Sequence, residues 1–446
     1  MLPSLPQIRA GLIRIPPAAD RMLVRLLIRR TARARIDIRL TRIRDRRMIM
    51  RLALPQQRRE APCFARSGAD RLIDMRTAVV TIIAAVAAAV SAVPAGAAPQ
   101  LPPPNDAALR AAISGLPNQE TTGALVRITG SAGAWSGVAG VSDVRTGAPV
   151  RAGGRFRIGS TTKVFTAVMV LQLAQERRID LDEPVQRYLP GVLPADYPPV
   201  PVHTLLDHTS GLPSVDIPGL TDPRWVLEHR FEHWSPRQVV DTALRHPIDF
   251  PPGTAQKYTN TAYVTAGMIV EKVTGRSYAR NLRERITGPL GLCDTYDPGD
   301  DPSLPGAAAR GYLDVDGELV DATEMNQSIP GAAGALVSTA EDLDGFITGL
   351  FRGRLLGREM MTRLFTVPDV PTFGGGGPAL YSQGLMRIVV NGVEVWGKTG
   401  SRHGYSSGVF ATRGLERKLV YSVNPTVKSA DGQPLIVQQI AAAATS

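Results

Sequence analysis

Cysteine and histidine are scarce in this sequence. It contains two cysteines and six histidines in 446 residues. Cys63 lies near the N-terminus and Cys293 far beyond it, and no cysteine or histidine pair has the spacing of a zinc site. If the N-terminal region is removed by processing, the remaining chain has no cysteine pair for an internal disulfide. We expect neither a metal nor any other cofactor.

Net positive charge is confined to the N-terminal region, although the formal net charge of the whole chain is +11. Residues 1–74 contain 18 arginines, no lysine and six acidic residues, so the chain that follows Arg76 is close to neutral. This distribution argues against a nucleic-acid partner. The alternative is a nucleic-acid binder that depends on its basic N-terminus, and it predicts that removal of residues 1–97 abolishes function.

Near its N-terminus, the chain lacks an apolar stretch as long as a typical membrane-spanning helix. An uncharged stretch of about sixteen residues runs from Ala78 to Val93 and is broken by Pro94. It follows a basic start and ends in an A-x-A sequence, which predicts a secretory signal peptide over residues 75–97. We therefore expect a secreted or cell-envelope protein, and the alternative is an uncleaved anchor. Residues 1–74 are predicted to be a disordered or mis-annotated leader.

The hydrophobic pattern of residues 98–446 predicts one α+β domain. Alternating residues over 123–143 indicate two strands joined by a tight turn, and a long apolar helix follows at about residue 160. Helices and proline-rich loops extend from about 180 to 330, and three strands over 393–424 precede a closing helix. We expect an α/β sandwich: an antiparallel sheet built from both chain ends, flanked by helices, with an inserted, mostly helical region.

Gly404–Gly408 fits G-x-S-x-G, which carries the nucleophile in α/β-hydrolases. That motif requires a strand, a sharp turn and a helix, followed later by a histidine. Ser406 instead begins an alternating, strand-like segment, and the last histidine, His403, precedes it. We therefore interpret Ser406 as a strand or turn residue.

Ser160 and Lys163 form an S-x-x-K motif at the start of the long apolar helix. Residues three apart on a helix share a face, so the amine is expected beside the hydroxyl. The positive end of the helix dipole favours negative charge that develops on the serine. The alternative is a helix cap with a surface lysine, but a lysine among apolar residues of a buried helix argues against it.

Tyr258 and Asn260 stand at the start of a second apolar helix. A phenol near two amines loses its proton more easily, and it can then relay a proton between Ser160 and a leaving group. The amide of Asn260 can donate and accept hydrogen bonds and is suited to holding a peptide carbonyl. A helix cap and a core tyrosine remain an equal alternative for this pair.

Three motifs occur in order along the chain: Ser160-x-x-Lys163, Tyr258-x-Asn260 and Lys398-Thr399-Gly400. Their order and spacing resemble those of the penicillin-recognising serine hydrolases, meaning the class C β-lactamases and the secreted D-alanyl-D-alanine carboxypeptidases. The resemblance covers roughly residues 105–430 and implies a β-lactamase/transpeptidase-like fold.

The resemblance implies a role for each motif. Ser160 is implied to be the acylated nucleophile, with Lys163 and Tyr258 transferring its proton. Lys398 is implied to keep the site positive and to lower the pKa values of Lys163 and Tyr258. The backbone N–H groups of Ser160 and Ser401 are implied to form the oxyanion hole.

Further residues are implied to bind substrate. They are Asn260, Lys398, Thr399, Gly400, Ser401 and Arg387, of which the hydroxyls of Thr399 and Ser401 and the Arg387 guanidinium are implied to hold a terminal carboxylate. The segment His208–Gly211 (His-Thr-Ser-Gly) contains a histidine and a serine and could suggest a catalytic pair. Its glycine and the proline that follows instead predict the point where a helix ends and a loop begins, so we expect its role to be structural.

The function implied by the resemblance is that of an exported D-alanyl-D-alanine carboxypeptidase that acts on peptidoglycan stem peptides through an acyl-enzyme and binds β-lactams. Three alternatives remain open: a class C-like β-lactamase, an esterase, and a penicillin-binding sensor that is acylated without turnover. The expected partner is a small peptide, β-lactam or ester. We expect a monomer that contacts membranes only through its signal segment.

Overall fold

The computed structural model describes residues 21–26, 36–43, 47–53, 101–427 and 433–446. The chain divides into two units, residues 1–84 and 85–446. The first contains a three-stranded antiparallel sheet in the order β1-β2-β3, formed by β1 (Arg21–Leu26), β2 (Ile36–Ile43) and β3 (Arg47–Ala53). The predicted signal peptide lies outside the described residues. Within the described residues, no helix has the length and apolar character that a membrane crossing requires.

In the second unit, most long strands lie near the two ends of the sequence and most helices lie between them. Its strands are β4 (Thr121–Thr129), β5 (Trp135–Asp143), β6 (Ala148–Pro149), β7 (Phe156–Arg157), β8 (Tyr312–Val315), β9 (Glu318–Asp321), β10 (Val337–Ser338), β11 (Met386–Val390), β12 (Val393–Arg402), β13 (Tyr405–Ala411) and β14 (Lys418–Pro425). Its α-helices are α1 (Asp106–Ala112), α2 (Thr162–Gln175), α3 (Val185–Tyr188), α4 (Val202–Leu206), α5 (Pro223–His229), α6 (Pro236–Ala243), α7 (Asn260–Thr274), α8 (Tyr278–Leu282), α9 (Gly288–Leu290), α10 (Gly331–Gly334), α11 (Ala340–Phe351), α12 (Arg358–Leu364) and α13 (Leu435–Ala444).

Seven strands form the main sheet, in the order β11-β12-β13-β14-β4-β5-β6. Neighbouring strands in this sheet are antiparallel, and β14 pairs with β4, which joins the two ends of the domain. The prediction of an antiparallel sheet built from both chain ends is confirmed.

Helices cover both faces of this sheet, and its central strands are buried on both sides. Every residue of β13 is buried, and β4 is buried over most of its length. On one face, α1 and α13 pack on β4 and β14 around Leu109, Tyr421 and Ile440. On the other face lie α11 and the larger core around α2. The sheet and helices therefore form the expected layered α+β fold.

The inserted region is mostly helical, as predicted, and α7 is its longest helix. Packing of α7 against α2 brings the start of α7 close to the start of α2. Two strand features were not predicted. The hairpin β8–β9 has strands of only four residues, and the edge strand β11 is half exposed, so neither has a strong hydrophobic signal.

Candidate active site

Ser160 lies in a 3₁₀ turn, Gly159–Thr161, directly before α2. The preceding strand β7 pairs with β10, which anchors the entry to this turn. Gly159 has a φ of +51°, a left-handed conformation that a side chain would oppose. The turn leaves Ser160 half-buried at the start of a helix whose next ten residues are all buried.

Lys163 lies one helical turn after Ser160 and is 0% exposed. Its Nζ is 3.2 Å from Ser160 Oγ, 2.7 Å from Asn260 Oδ1 and 2.8 Å from the Ala333 carbonyl oxygen. Burial holds the pKa of Lys163 well below its usual range, and the charges of Lys398 and Arg402 lower it further. The amine is thus oriented by three polar partners and poised to lose a proton.

Tyr258 precedes α7, whose N-cap Thr259 accepts a hydrogen bond from the Thr261 backbone N–H. The ring of Tyr258 lies close to two amines. Lys163 Nζ is 4.8 Å from its centroid and Lys398 Nζ is 4.9 Å from it. Both distances are in the range of cation–π contacts. Tyr258 is therefore in contact with one lysine of the first motif and one of the third.

The Tyr258 hydroxyl is buried and forms no hydrogen bond of normal geometry with the described residues. Ser160 is nevertheless close enough to lower the pKa of Tyr258 slightly. Burial outweighs this effect and raises the pKa of Tyr258 above its usual value. The pKa of Tyr258 is therefore raised rather than lowered as expected, which favours the phenol as a proton donor.

Strand β12 contains Lys398-Thr399-Gly400 and packs directly against the turn that contains Ser160. Thr161 Oγ1 donates to the Lys398 carbonyl at 3.3 Å, and Ser407 Oγ donates to the Ile158 carbonyl at 3.0 Å. A Cβ on Gly159 would lie 2.6 Å from the Ser401 backbone nitrogen. The backbone nitrogens of Ser160 and Ser401 thus belong to the same small region.

Gly400 makes this approach possible, and its replacement is a test of the packing. In Gly400→Ala the new Cβ would lie 1.9 Å from the Ile158 carbonyl oxygen, so β12 and the serine turn must separate. We expect a lower melting temperature, corresponding to about 1–3 kcal/mol, and a large loss of activity. Gly153→Ala is the matched control, because its Cβ would meet no atom within 4 Å. Equal stability of the two variants would contradict the described packing.

Lys398 is 3% exposed, and burial lowers its pKa to about 7. Its Nζ donates to the Thr399 carbonyl at 3.0 Å. Among the residues that the structure describes, no carboxylate lies within ion-pair distance of Lys398 or Lys163. When Lys398 is protonated, the site therefore holds a buried positive charge with no compensating carboxylate among the described residues.

The structure does not bring Arg387 to this cluster. Its guanidinium, 52% exposed, donates from Nε to Glu394 Oε2 at 2.7 Å. Thr399 and Ser401 flank Gly400 on β12, with Thr399 half-buried and Ser401 exposed. The structure thus groups Ser160, Lys163, Tyr258, Asn260 and Lys398, with the Thr399–Ser401 segment alongside, and leaves Arg387 outside.

Comparisons with known proteins agree with this geometry. The sequence model described as Beta-lactamase matches residues 109–443, more than half of the chain. The chain belongs to this family. It is a serine hydrolase of the superfamily that includes β-lactamases and penicillin-binding proteins, and the predicted family and fold are confirmed.

Two solved structures of this superfamily are similar to the β-lactamase-family domain over almost their whole length. A D-stereospecific amidohydrolase from Streptomyces sp. is 34% identical, with a TM-score of 0.65, and the match covers 76% of this chain and 97% of that one. D-amino acid amidase from Ochrobactrum anthropi SV3 is 28% identical, with a TM-score of 0.64 and coverage of 76% and 98%.

A curated relative, "Penicillin-binding protein 4" of Amycolatopsis lactamdurans, is 32% identical over 218 residues, which is 46% of this chain and 53% of that protein. "Esterase EstB" of Burkholderia gladioli is 31% identical over 173 residues, 35% of this chain and 41% of that protein. The matches span about half or less of the length of these curated relatives.

Sequence reasoning missed Arg402. Its Nε donates to Gln327 Oε1 at 3.1 Å, and burial lowers its pKa to about 10, with a smaller contribution from Arg157. The sequence could have indicated its position, because side chains two and four residues apart on a strand share a face. That period places Arg402 on the same face of β12 as Lys398.

His208 packs directly on Tyr258, with ring centroids 4.4 Å apart. Its Nδ1 accepts a hydrogen bond from the Thr259 N–H at 3.4 Å, and burial, followed by the charges of Lys163 and Lys398, holds its pKa well below its usual range. The ring is therefore neutral and supports the residue before α7. The His-Thr-Ser-Gly segment, expected to be structural, lies against the site.

Proposed function

We propose that this chain is an exported D-alanyl-D-alanine carboxypeptidase that acts on peptidoglycan stem peptides through an acyl-enzyme on Ser160 and that binds β-lactams at the same site. The observation that carries the proposal is the 3.2 Å contact between Lys163 Nζ and Ser160 Oγ inside a cluster that also contains Tyr258 and Lys398.

In the acylation step, Ser160 Oγ attacks the scissile carbonyl carbon and its proton passes to Lys163. The low pKa of Lys163 supplies the neutral amine that accepts this proton. Asn260 and Ala333 hold the amine in place through its other hydrogen bonds. The negative charge that develops on the carbonyl oxygen is bound by the backbone N–H groups of Ser160 and Ser401.

Collapse of this intermediate breaks the carbon–nitrogen bond. Tyr258, as a neutral phenol, donates its proton to the leaving nitrogen of D-alanine and recovers a proton from the ammonium of Lys163. A water molecule then attacks the Ser160 ester and gives a proton to the same groups. Hydrolysis of the ester returns the hydroxyl to Ser160 and releases the shortened peptide as its carboxylate.

The charge of the site supports a substrate with a free terminal carboxylate. Lys398 is buried, and no carboxylate among the described residues forms an ion pair with it. Attraction between a cation and an anion strengthens where water is excluded. A carboxylate beside Lys398 and Thr399 would compensate this charge, whereas a neutral ester would not.

D-amino acid amide hydrolysis is the second candidate, favoured by the similarity to two amide hydrolases over 97% and 98% of their lengths. Three substrates separate the candidates: an N-acyl-D-alanyl-D-alanine, its C-terminal amide and D-alanine amide. We expect the free carboxylate to give the highest kcat/KM. Fastest cleavage of D-alanine amide would favour the amidase instead.

The response to penicillin separates the remaining alternatives. A carboxypeptidase is expected to form a long-lived penicillin adduct while it continues to release D-alanine from peptides. Rapid hydrolysis of the penicillin adduct would indicate a β-lactamase. One equivalent of product followed by no turnover with any substrate would indicate a sensor.

The pKa of Lys398 predicts how activity depends on pH. With a pKa of about 7, Lys398 is positive below neutral pH and loses its charge as the pH rises through that value. The ratio of kcat/KM for the carboxylate substrate to that for its amide should therefore fall between about pH 6 and about pH 8. The ratio isolates Lys398, because Lys163 acts on both substrates. A ratio that stays constant over this range would contradict the role of Lys398.

Deletion of residues 1–97 tests whether the site functions without the N-terminal region. We expect the shortened chain, produced without its leader and signal segment, to keep full activity, because the described site lies entirely between residues 158 and 402. The measurement compares kcat/KM and the melting temperature of the two forms. Loss of activity by a folded shortened chain would favour a function that depends on the basic N-terminus.

A further inference from the structure

A cavity of about 380 Å³ opens at the end of β12, beyond Ser401. Its floor includes Ser401 and Arg402, and Leu220 and Leu313 contribute an apolar wall. Lys398 and Thr399 do not line it. A strand advances about 3.3 Å per residue, so the cavity lies on the side of Ser401 that points away from Lys398.

Arg402 brings a mostly buried cation to this cavity. Gln327, itself 0% exposed, accepts from Arg402 Nε at 3.1 Å, and the Met325 sulfur is 3.6 Å from Nη2. No carboxylate within the described residues forms an ion pair with Arg402. A buried cation without an anionic partner destabilises a fold, so this arrangement indicates a ligand that supplies the negative charge.

We propose that this cavity binds the acyl side of the substrate and that Arg402 selects acyl groups that carry a carboxylate. The inference rests on the proposed function. With the leaving carboxylate at Lys398 and the scissile carbonyl between Ser160 and Ser401, the acyl group must continue past Ser401 into the cavity. This assigns Arg402 to the opposite end of the substrate from Lys398.

The rest of the lining restricts where the acyl carboxylate can lie. Asp314 is exposed at the cavity, and its Oδ1 accepts from the Gly317 N–H at 2.8 Å. It repels an anion from that side, whereas the leucine wall accepts a methylene stem. The matching acyl group therefore has a short apolar stem and a carboxylate that points to Arg402.

Two peptides with the same leaving group test this selection: N-succinyl-D-alanyl-D-alanine and N-butyryl-D-alanyl-D-alanine, which differ in one carboxylate. We expect the full chain to prefer the succinyl peptide by about tenfold in kcat/KM for D-alanine release, a typical value for one charge-assisted contact. Arg402→Gln should bring the ratio close to one, and Arg402→Lys should retain part of it.

Arg237→Gln is the matched control for loss of one positive charge. Arg237 is half exposed and pairs with Asp241 on α6, so the succinyl-to-butyryl ratio should not change. Equal rates for the two peptides with the wild-type chain would overturn the proposal. A preference that survives Arg402→Gln would overturn it as well.

A second readout separates this proposal from the carboxypeptidase assignment. Succinyl- and butyryl-D-alanine amide are tested as competitors of labelling by a fluorescent penicillin, which needs no peptide turnover. If neither peptide releases D-alanine, the carboxypeptidase assignment fails. Stronger competition by the succinyl compound, lost in Arg402→Gln, would still support the acyl site, and equal competition would overturn it.

Discussion

Replacement of Ser160 by alanine is expected to abolish labelling by a fluorescent penicillin and to lower peptide turnover by about 10⁴–10⁶-fold. Among the described residues, Lys163 Nζ forms hydrogen bonds with Ser160 Oγ, Asn260 Oδ1 and the Ala333 carbonyl oxygen, so Ser160 supplies the hydroxyl beside the amine. Without the Ser160 oxygen the acyl-enzyme cannot form. Labelling on a gel and D-alanine release measure the two effects.

Ser406→Ala is the control for the rival G-x-S-x-G interpretation. Ser406 is buried in β13, pairs with Ser401 across the strands, and donates from Oγ to Gln433 Oε1 at 3.2 Å. We expect this variant to be labelled like the wild type. Labelling that persists in Ser160→Ala but disappears in a folded Ser406→Ala would reverse the assignment.

Tyr258→Phe is expected to slow acyl transfer by about 10²–10⁴-fold without lowering stability. The phenol is the proposed proton donor to the leaving nitrogen, so its removal acts on the chemical step. The hydroxyl forms no hydrogen bond of normal geometry with the described residues, so its loss leaves no partner unsatisfied. Single-turnover acylation and thermal unfolding measure the two properties separately.

Tyr263→Phe is the control, and we expect it to lower stability while it changes acylation little. The Tyr263 hydroxyl donates to the Leu206 carbonyl at 2.6 Å in the buried core, so its removal should cost about 1–2 kcal/mol of unfolding free energy. Its effect on acylation should be far smaller than that of Tyr258→Phe. Wild-type turnover in Tyr258→Phe would remove this phenol from the mechanism, and an equal loss of stability in both variants would contradict the described hydrogen bonding.

The parts of the site that could be predicted from sequence depend on local geometry. A spacing of three residues on a helix is sufficient to place Lys163 beside Ser160, and the alternating pattern around Ser406 is sufficient to place it in a strand. The sheet could be predicted as well, because residues 123–143 and the segment that begins at Ser406 have strand-like patterns with turns beside them.

The remaining features depend on contacts between distant segments. Whether Arg387 or Arg402 approaches the site is decided by the edge pairing of β11 and by Gln327, which lies far from both in sequence. The pKa of Tyr258 depends on the extent of its burial, which no local pattern reports. His208 likewise lies at the site because its ring packs on Tyr258, fifty residues further along the chain.

The most direct test of the account is mass spectrometry of the chain after incubation with a penicillin, followed by proteolysis and mapping of the adduct. We expect one penicilloyl group per chain, on the peptide that contains Ser160, and none on the peptide that contains Ser406. An adduct on any other serine, with Ser160 unmodified, would contradict the assignment of Ser160 as the nucleophile.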